Sequence, residues 1–474
     1  MKRILVLTLI LAFITPWFQA RAQTDITVKV NNAYSDYPTS VNFYITVATS
    51  QELIHQITLF YGTDGRSCNT SLGRQKMDFE PGKSVRLHWE WDLLKSGNLP
   101  PGVEVWWQWE IKYGDVEPLL TERKTLLIED TAFDWITVSN DQVSVYWADG
   151  SQQFGQNLLY IATRSLDRLS QEAGIAPQEQ VRLTIYPTFD DLHYAILAAP
   201  EWTGGVAFPE YGSILIGIPV DSGSWAAEVI PHELAHLVTG EMTFNCLGIH
   251  TPTWLEEGLA VYSEGSPDVL AVEQINERAI AGKLPSLRSL AGGFPANSES
   301  AELAYIQSGE VVRFMIETYG AEKMAALLEA LKSGNVIDES LVKVYGLDTD
   351  GIDHVWLVSI GAADGSQLVQ ASPTFQATEV PTLALWTQAY TRPTHTFTPL
   401  PSGTHTPIPS FTSTPNEPIS NSAQAKNDPG ELKDTPLRPL SCLGNTGFAT
   451  AIFLSLMLTP KLIRKSSHQT PHRN

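Results

Sequence analysis

The hydrophobic pattern of this chain changes from a period of two to helical spacing a little beyond residue 130, and that change constrains the fold more than any other feature of the sequence. In the preceding part, apolar and polar residues alternate in "VNFYITVAT", "HQITLFYGT", "VRLHWEWDL" and "VEVWWQWEIKYGD". A period of two is typical of half-buried β-strands, and it places Val105, Trp107 and Trp109 on one face. Several such short strands predict an antiparallel β-sandwich of the immunoglobulin-like type for residues 23–130.

The strand tryptophans allow two interpretations. They can fill the core between two sheets, or they can form an exposed platform that stacks on carbohydrate. Because tryptophan is strongly buried on average, we expect Trp89, Trp91, Trp107 and Trp109 to belong to the core.

Helical spacing dominates the part of the chain that follows. Strands are predicted at "VSVYW", "VRLTIYPT" and, as a glycine-punctuated pair, "GGVAFPEYGSILIGI". Helices are predicted at "QNLLYIATRSLDRLSQEAG", "DDLHYAILAA", "PTWLEEGLAVYSEG", "AELAYIQSGEVVRFMIETYG" and "AEKMAALLEALKSG". Strands that precede most of the helices predict an α+β domain, for residues 131–365.

The N-terminus has the composition of an export signal. Lys2 and Arg3 precede an apolar run, and the small residues of "ARA" end at position 22. This pattern predicts a signal peptide over residues 1–22, with an uncleaved N-terminal anchor as the alternative.

The C-terminal part predicts a tether to a membrane. A Pro/Thr/Ser-rich composition predicts a disordered stalk over residues 366–439. Residues 440–460 are apolar enough for a single transmembrane helix, and the basic tail over residues 461–474 places the C-terminus in the cytoplasm. A sorted and cleaved tail, or a peripheral segment, is the alternative. We therefore expect an exported, extracytoplasmic protein that is anchored at the cell surface.

Charge and cysteine usage exclude several classes of function. The formal net charge of −21 offers no basic stripe to phosphates, which argues against a nucleic-acid partner. The three cysteines are far apart and form no C-x-x-C pair, so a thiol-redox site or a cysteine zinc site is not supported. A Cys68–Cys246 bridge is permitted outside the cell, but the sequence does not determine it. The oligomeric state is likewise open.

The segment "VIPHELAHLVTG" contains the motif H-E-x-x-H. On a helix, His232 and His236 stack on one face and can each present a ring nitrogen to one Zn²⁺ ion. Glu233 lies about 100° around the helix, where a base can take a proton from a water molecule held by zinc. A hydrolytic zinc site needs a third protein ligand. Pro231 predicts that the helix starts or kinks at this point.

The third ligand is indicated by a second motif. The chain shows "HELAH" and then "WLEEGLA" from Trp254, a combination that resembles the gluzincin zinc metallopeptidases, in particular the peptidase-MA-like domains and more remotely the M1 aminopeptidases. The resemblance implies that His232, His236 and Glu257 bind zinc and that Glu233 is the general base. Glu256 is the alternative third ligand.

Two further segments resemble parts of these enzymes. "AYIQSGEVVRFM" is similar to the M1 helix that carries a catalytic tyrosine, which implies that Tyr305 hydrogen-bonds the oxyanion; a tyrosine packed at a helix–helix seam is the alternative. "GGVAFPEYGSILIG" resembles the edge strand that pairs with extended substrate. The M1 box G-x-M-E-N is absent, and Glu210 is the only acid there and lies out of pattern. Its absence favours cleavage of internal bonds.

The resemblance implies a zinc-dependent metallopeptidase that acts on peptides or proteins, and the composition of the two ends of the chain predicts that it is tethered to a membrane. Two alternatives stay open at this point. The first is an inactive metallopeptidase-like protein with a surface binding or adhesion role, against which the intact Glu233 argues. The second is a zinc hydrolase of non-peptide substrates.

Overall fold

The computed structural model of the protein describes residues 26–68, 73–197 and 203–363. The predicted signal peptide, stalk, transmembrane segment and cytoplasmic tail lie outside these ranges. Within the described ranges, no helix combines the length and the apolar character that a membrane crossing requires.

The N-terminal region consists of two antiparallel sheets. Its elements are β1 Ile26–Asp36, β2 Ser40–Thr49, β3 Ile54–Thr63, β4 Gly73–Lys76, β5 Ser84–Asp92, the short helix α1 Leu93–Ser96, β6 Glu104–Tyr113, β7 Leu119–Leu120 and β8 Lys124–Leu127. One sheet has the order β1-β2-β5, and the other has the order β4-β3-β6-β7 with β8 also paired to β6. This is the chain path of an immunoglobulin-like sandwich in which the fourth strand pairs with the third strand rather than the fifth.

Aromatic side chains fill the space between the two sheets. Phe43 of β2 packs against Trp107 of β6, with ring centroids 5.9 Å apart, and its ring is stacked on that of Trp89. Trp107 and Trp109 are buried, and Trp89 is half-buried at the edge of the same cluster. The expectation that the strand tryptophans belong to the core is therefore confirmed for Trp107 and Trp109, whereas Trp89 and Trp91 are half-buried and pack against that core.

A third sheet of mixed direction begins the second region. Its strands are β9 Ile136–Ser139, β10 Val143–Trp147, β11 Val181–Tyr186, β12 Gly205–Phe208 and β13 Ser213–Gly217. Their order is β12-β13-β11-β10-β9. The inner pairs β10–β11 and β11–β13 are parallel, and both outer pairs are antiparallel. The strand β12 therefore forms one edge of the sheet.

Helices cover this sheet and complete the core. They are α2 Gln152–Arg168, α3 Phe189–Ala195, α4 Gly223–Thr243, α5 Thr253–Glu264, α6 Val269–Ile280, α7 Ser298–Tyr319, α8 Ala321–Lys332, α9 Ile337–Tyr345 and α10 Thr349–Ser359. The helix α2 connects the parallel strands β10 and β11, as such connections require. The helix α4 packs against β12, β13, α2, α5 and α8 and so lies at the centre of the domain. A β-rich region followed by a mainly helical domain agrees with the sequence.

Of the two alternatives predicted for Pro231, a helix start or a kink, the start is wrong. The helix α4 begins at Gly223 and continues through Pro231, so His232 lies near its middle. Proline removes one helical hydrogen bond, which disfavours but does not forbid this path. Val229 and Ile230 on the preceding turn are buried in the core, and their packing offsets the local cost.

The two regions are joined by a disulfide bond and by partly buried hydrogen bonds. Cys68, in the loop after β3, is bonded to Cys246, in the loop after α4. The hydroxyls of Tyr37 in the sandwich and Tyr186 of β11 lie 3.4 Å apart, and Asn98 donates to the carbonyl of Ala195 at 3.1 Å. The cysteine pairing that the sequence permitted is thus the one the structure contains.

Candidate metal centre

The side chains of His232, His236 and Glu257 converge on one buried point. The two histidines lie one turn apart on α4, and α5 brings Glu257 against them. Oε2 of Glu257 lies 3.8 Å from Nε2 of His232 and 3.4 Å from Nε2 of His236. One ligand atom from each residue lies within 4.8 Å of the other two.

The atoms that meet at this point have the character of metal ligands. Within the described part of the chain, Nε2 of both histidines and Oε2 of Glu257 are buried and have no hydrogen-bond partner. Orphaned buried polar atoms are costly unless something else satisfies them. Ligand atoms 2.0–2.2 Å from one tetrahedral ion lie about 3.3–3.6 Å apart, close to the spacing found here. The donor set of two imidazoles and one carboxylate therefore fits Zn²⁺.

Close packing of α5 against α7 holds Glu257 in place. A Cβ atom at Gly258 would lie 2.6 Å from the backbone carbonyl oxygen of Ser308 on α7 and equally close to Val312. The glycine directly after the third ligand therefore allows the two helices to approach.

We expect Gly258→Ala to lower the free energy of unfolding by about 1–3 kcal/mol, since neither the α7 backbone nor Val312 has room to move away freely. Gly292→Ala is the matched control, because a Cβ atom there meets nothing within 4 Å. Urea denaturation of the two variants measures the difference. Equal urea midpoints for the two variants would show that the close α5–α7 contact does not limit the stability of the fold.

Glu233 lies beside the ligand cluster but is not part of it. Its side chain is buried, and its Oε2 has no hydrogen-bond partner among the described residues. Burial raises the pKa of Glu233 to about 7, against the lowering effect of His236 and His232. A carboxyl group with a pKa near neutrality is suited to accept and return a proton at physiological pH.

The edge strand β12 passes directly over this carboxylate. A Cβ atom at Gly205 would lie 2.6 Å from Oε1 of Glu233, so only glycine allows this approach. The carbonyl of Gly204 accepts a hydrogen bond from the N–H of Gly217 on β13. In an antiparallel pair, hydrogen-bonded residues alternate with residues whose backbone groups point away from the partner strand. The backbone N–H and C=O groups of Gly205 and Ala207 therefore point toward the outer edge of the sheet.

Two glutamates lie behind the histidine rings. Nδ1 of His232 donates to Oε1 of Glu264 at 2.6 Å, which leaves the Nε2 lone pair directed at the ligand cluster. Oε1 of Glu256 lies 3.6 Å from Nδ1 of His236, on the side of the ring away from the cluster. The alternative assignment of Glu256 as third ligand is therefore not what the geometry favours.

Glu264 was not singled out in the sequence, although a signal was present. It follows Glu257 by seven residues, and seven residues complete almost two helical turns. Both glutamates therefore lie on the face of α5 that meets α4, and this spacing marks Glu264 as a partner of the site.

The same carboxylates affect His236. Burial lowers the pKa of His236, but Glu257 and Glu256 together raise it well above its usual value. A histidine binds a metal ion through a ring nitrogen that carries no proton, so a raised pKa opposes metal binding at low pH. We therefore expect the metal affinity of this site to increase with pH.

Tyr305 lies on α7 and is buried. Its ring packs edge-on against Phe294, with centroids 4.8 Å apart. The helix α7 also packs against α5, which carries Glu257. The catalytic role implied for Tyr305 stays a prediction.

Two solved structures are distantly similar to this chain. Aminopeptidase A of Legionella pneumophila, solved in complex with aspartic acid, has 13% identity and a TM-score of 0.33, over 70% of this chain and 49% of that protein. An aminopeptidase N family protein from Idiomarina loihiensis has 10% identity and a TM-score of 0.30, over 69% of this chain and 72% of that protein. The chain thus spans about half of the Legionella enzyme. At such low TM-scores neither likeness supports an inference about this chain.

A family comparison covers the domain that holds the candidate metal centre. No curated protein matches the chain significantly. Residues 161–362 match the model of the Peptidase MA superfamily, and this range includes the three converging ligands and Glu233. The chain therefore carries, over residues 161–362, a gluzincin-like peptidase domain of the Peptidase MA superfamily.

Proposed function

We propose that this domain is a zinc-dependent metallopeptidase. The observation that carries the proposal is the convergence of His232, His236 and Glu257 on one buried point, with Glu233 next to it. The family match to peptidases supports the choice of a peptide bond as the target. An inactive binding protein has no need for four such residues in one place.

The chemistry divides between the metal and the protein. A bound Zn²⁺ ion would polarise the peptide carbonyl and make a water molecule more acidic. The carboxylate of Glu233 takes a proton from the attacking water and then delivers it to the amine that leaves. Tyr305 is proposed to donate a hydrogen bond to the oxygen on which negative charge develops.

The edge of β12 offers a binding track for an extended peptide. The outward N–H and C=O groups of Gly205 and Ala207 can continue the sheet by one strand. Such backbone pairing recognises an extended chain and does not require a free terminus. We therefore propose that internal bonds of peptides or proteins are the target.

Metal analysis and cleavage of a fluorogenic peptide library by the purified full-length protein test the proposed function. We expect one zinc ion per chain and cleavage that a chelator abolishes and added zinc restores. A folded protein that binds no zinc at micromolar concentration, or that hydrolyses only non-peptide esters, would overturn it.

We expect Glu264→Gln to weaken zinc binding by about 10–100-fold, because the amide cannot replace the carboxylate that orients the His232 ring and increases its basicity. Competition with a zinc chelator measures the change. Glu302→Gln on the exposed side of α7 is the control and should leave the affinity unchanged. An unaltered affinity in the Glu264 variant would mean that this contact does not support the metal.

We also propose that the protein is exported and tethered to a membrane by residues 440–460. The composition of both ends of the chain supports this proposal. Protein that stays in the pellet after alkaline washing, but is released when residues 440–474 are deleted, is the expected result. Release of the full-length protein by the wash would contradict it.

A further inference from the structure

One loop of the sandwich contacts the peptidase domain close to the metal centre. We define the docking loop as residues 63–68, from the end of β3 to the disulfide cysteine. Its first contact is with residues 209–211, the turn between β12 and β13. The backbone N–H of Arg66 donates to the carbonyl of Glu210 at 2.9 Å, and the hydroxyls of Thr63 and Tyr211 lie 3.4 Å apart.

The turn is held from both sides. The ring of Tyr211 packs so closely on Gly65 that a side chain at that position would overlap it. On the opposite side, Pro209 packs on Gly240 of the zinc helix α4 in the same manner. The turn therefore lies between the docking loop and the helix that carries both histidines.

The second contact of the docking loop is an ion pair between the half-buried Arg66 and the buried Glu241. A guanidinium nitrogen of Arg66 lies 3.2 Å from Oε1 of Glu241, which is on the last turns of α4 and is only 2% exposed. The other oxygen of Glu241 accepts a hydrogen bond from the N–H of Gln178 at 2.9 Å. Burial raises the pKa of Glu241, and the charge of Arg66 opposes that shift.

The third contact is covalent. The disulfide joins Cys68 to Cys246, which lies in the loop connecting α4 and α5. The docking loop therefore contacts the turn that ends β12, the end of α4 and the loop that leads to Glu257.

From these three contacts we propose that the docking loop positions the substrate-binding edge of β12 over Glu233. Among the described strands, β12 has a partner on one side only, β13, so its end at the turn needs support from elsewhere. Arg66 and the disulfide supply that support from the sandwich. In this proposal the sandwich contributes to substrate binding by the peptidase domain, because it positions β12. Reduction of the disulfide then lowers the affinity for substrate. This inference rests on the proposed function.

The test compares Arg66→Ala, Arg66→Lys and Arg74→Ala in the full-length protein. Arg74 is the control, because it is a cation of the same sheet whose guanidinium lies over Phe60 of the sandwich. For each variant we would measure bound zinc, kcat, KM and hydrogen exchange of the backbone amides in residues 205–211. Peptide cleavage with and without a disulfide reductant extends the comparison.

We expect Arg66→Ala to raise KM about tenfold while kcat and zinc content stay nearly constant, since ground-state binding along β12 is what is lost. Amide exchange in residues 205–211 should become about tenfold faster. Arg66→Lys should restore most of both properties, and Arg74→Ala should match the wild type. Reduction, or the double variant Cys68→Ser/Cys246→Ser, should raise KM in the same direction and serves as the second test if Arg66→Ala does not fold.

Two results would overturn the inference. The first is a folded Arg66→Ala variant with wild-type KM and wild-type amide exchange. The second is a fall in zinc content and kcat with KM unchanged, which would indicate a general structural role. If the wild type cleaves no peptide, the proposed function fails, while amide exchange still decides whether the docking loop positions β12.

Discussion

Replacing Glu233 with glutamine is expected to lower kcat/KM for peptide cleavage by about 10²–10⁴-fold while zinc still binds at one ion per chain. Glutamine preserves the size of the side chain, but it cannot take a proton from water or return one to the leaving amine. Glu233 lies outside the cluster of ligand atoms formed by His232, His236 and Glu257, so the metal should remain. Steady-state kinetics and metal analysis on the same sample measure both quantities.

The stability of this variant provides a second measurement. Burial raises the pKa of Glu233 to about 7 in the metal-free fold, above its usual value of 4.5. An acid with a raised pKa destabilises the folded state increasingly as pH rises from its unfolded pKa to its folded pKa. At pH 8 the metal-free Glu233→Gln protein should therefore have a Tm equal to or above that of the wild type. Activity at the wild-type level would rule out Glu233 as the base, and a large fall in Tm would assign the lost activity to misfolding.

The second large effect is expected for Glu257→Gln, which removes the only carboxylate among the three converging ligands. Structural zinc sites with four ligands bind with about 10–16 kcal/mol, so one ligand contributes about 3–4 kcal/mol. This free energy corresponds to a loss of about 10²–10³-fold in zinc affinity, and activity should fall with the zinc content. Chelator competition and atomic absorption after dialysis measure the loss.

Glu256→Gln is the matched control for this prediction, because the two glutamates are neighbours on the same helix. Glu256 lies 3.6 Å from Nδ1 of His236, behind the ring, whereas Glu257 lies 3.4 Å from Nε2 of the same ring. The Glu256 variant should keep stoichiometric zinc at micromolar concentration. The opposite result, with zinc lost from the Glu256 variant and kept by the Glu257 variant, would reverse the assignment of the third ligand.

The region around the candidate metal centre shows which site residues can be predicted from local sequence patterns. The spacing of His232 and His236 on a helix predicted their shared face, because four residues complete about one turn whatever the surroundings. The second motif indicated Glu257 by its resemblance to gluzincins. The choice between Glu257 and Glu256 could not be made from spacing alone, since it depends on how α5 is rotated against α4. The close approach of Gly258 to Ser308 on α7 is one of the tertiary contacts that constrain this rotation.

Pro231 shows the opposite case, in which a local rule gives the wrong result. Proline usually marks the start of a helix or a break in it, and that rule predicted a start or a kink next to His232, of which the start is wrong. In the structure the preceding turns of α4 are buried between the sheet and neighbouring helices, and tertiary packing outweighs the missing hydrogen bond. That packing depends on distant parts of the chain, so the residues around Pro231 do not by themselves predict it.

By itself, the amino-acid sequence determined the properties that depend on neighbours along the chain. These are the alternating strands of the sandwich, most of the helices, the face shared by His232 and His236, and the charge that argues against nucleic acid. Only the tertiary structure decided which distant groups meet. The bond between Cys68 and Cys246, the pairing of Arg66 with Glu241, and the contact of Gly205 with Glu233 each join residues far apart in sequence. Their contact follows from how whole sheets and helices pack, and no local periodicity encodes that packing.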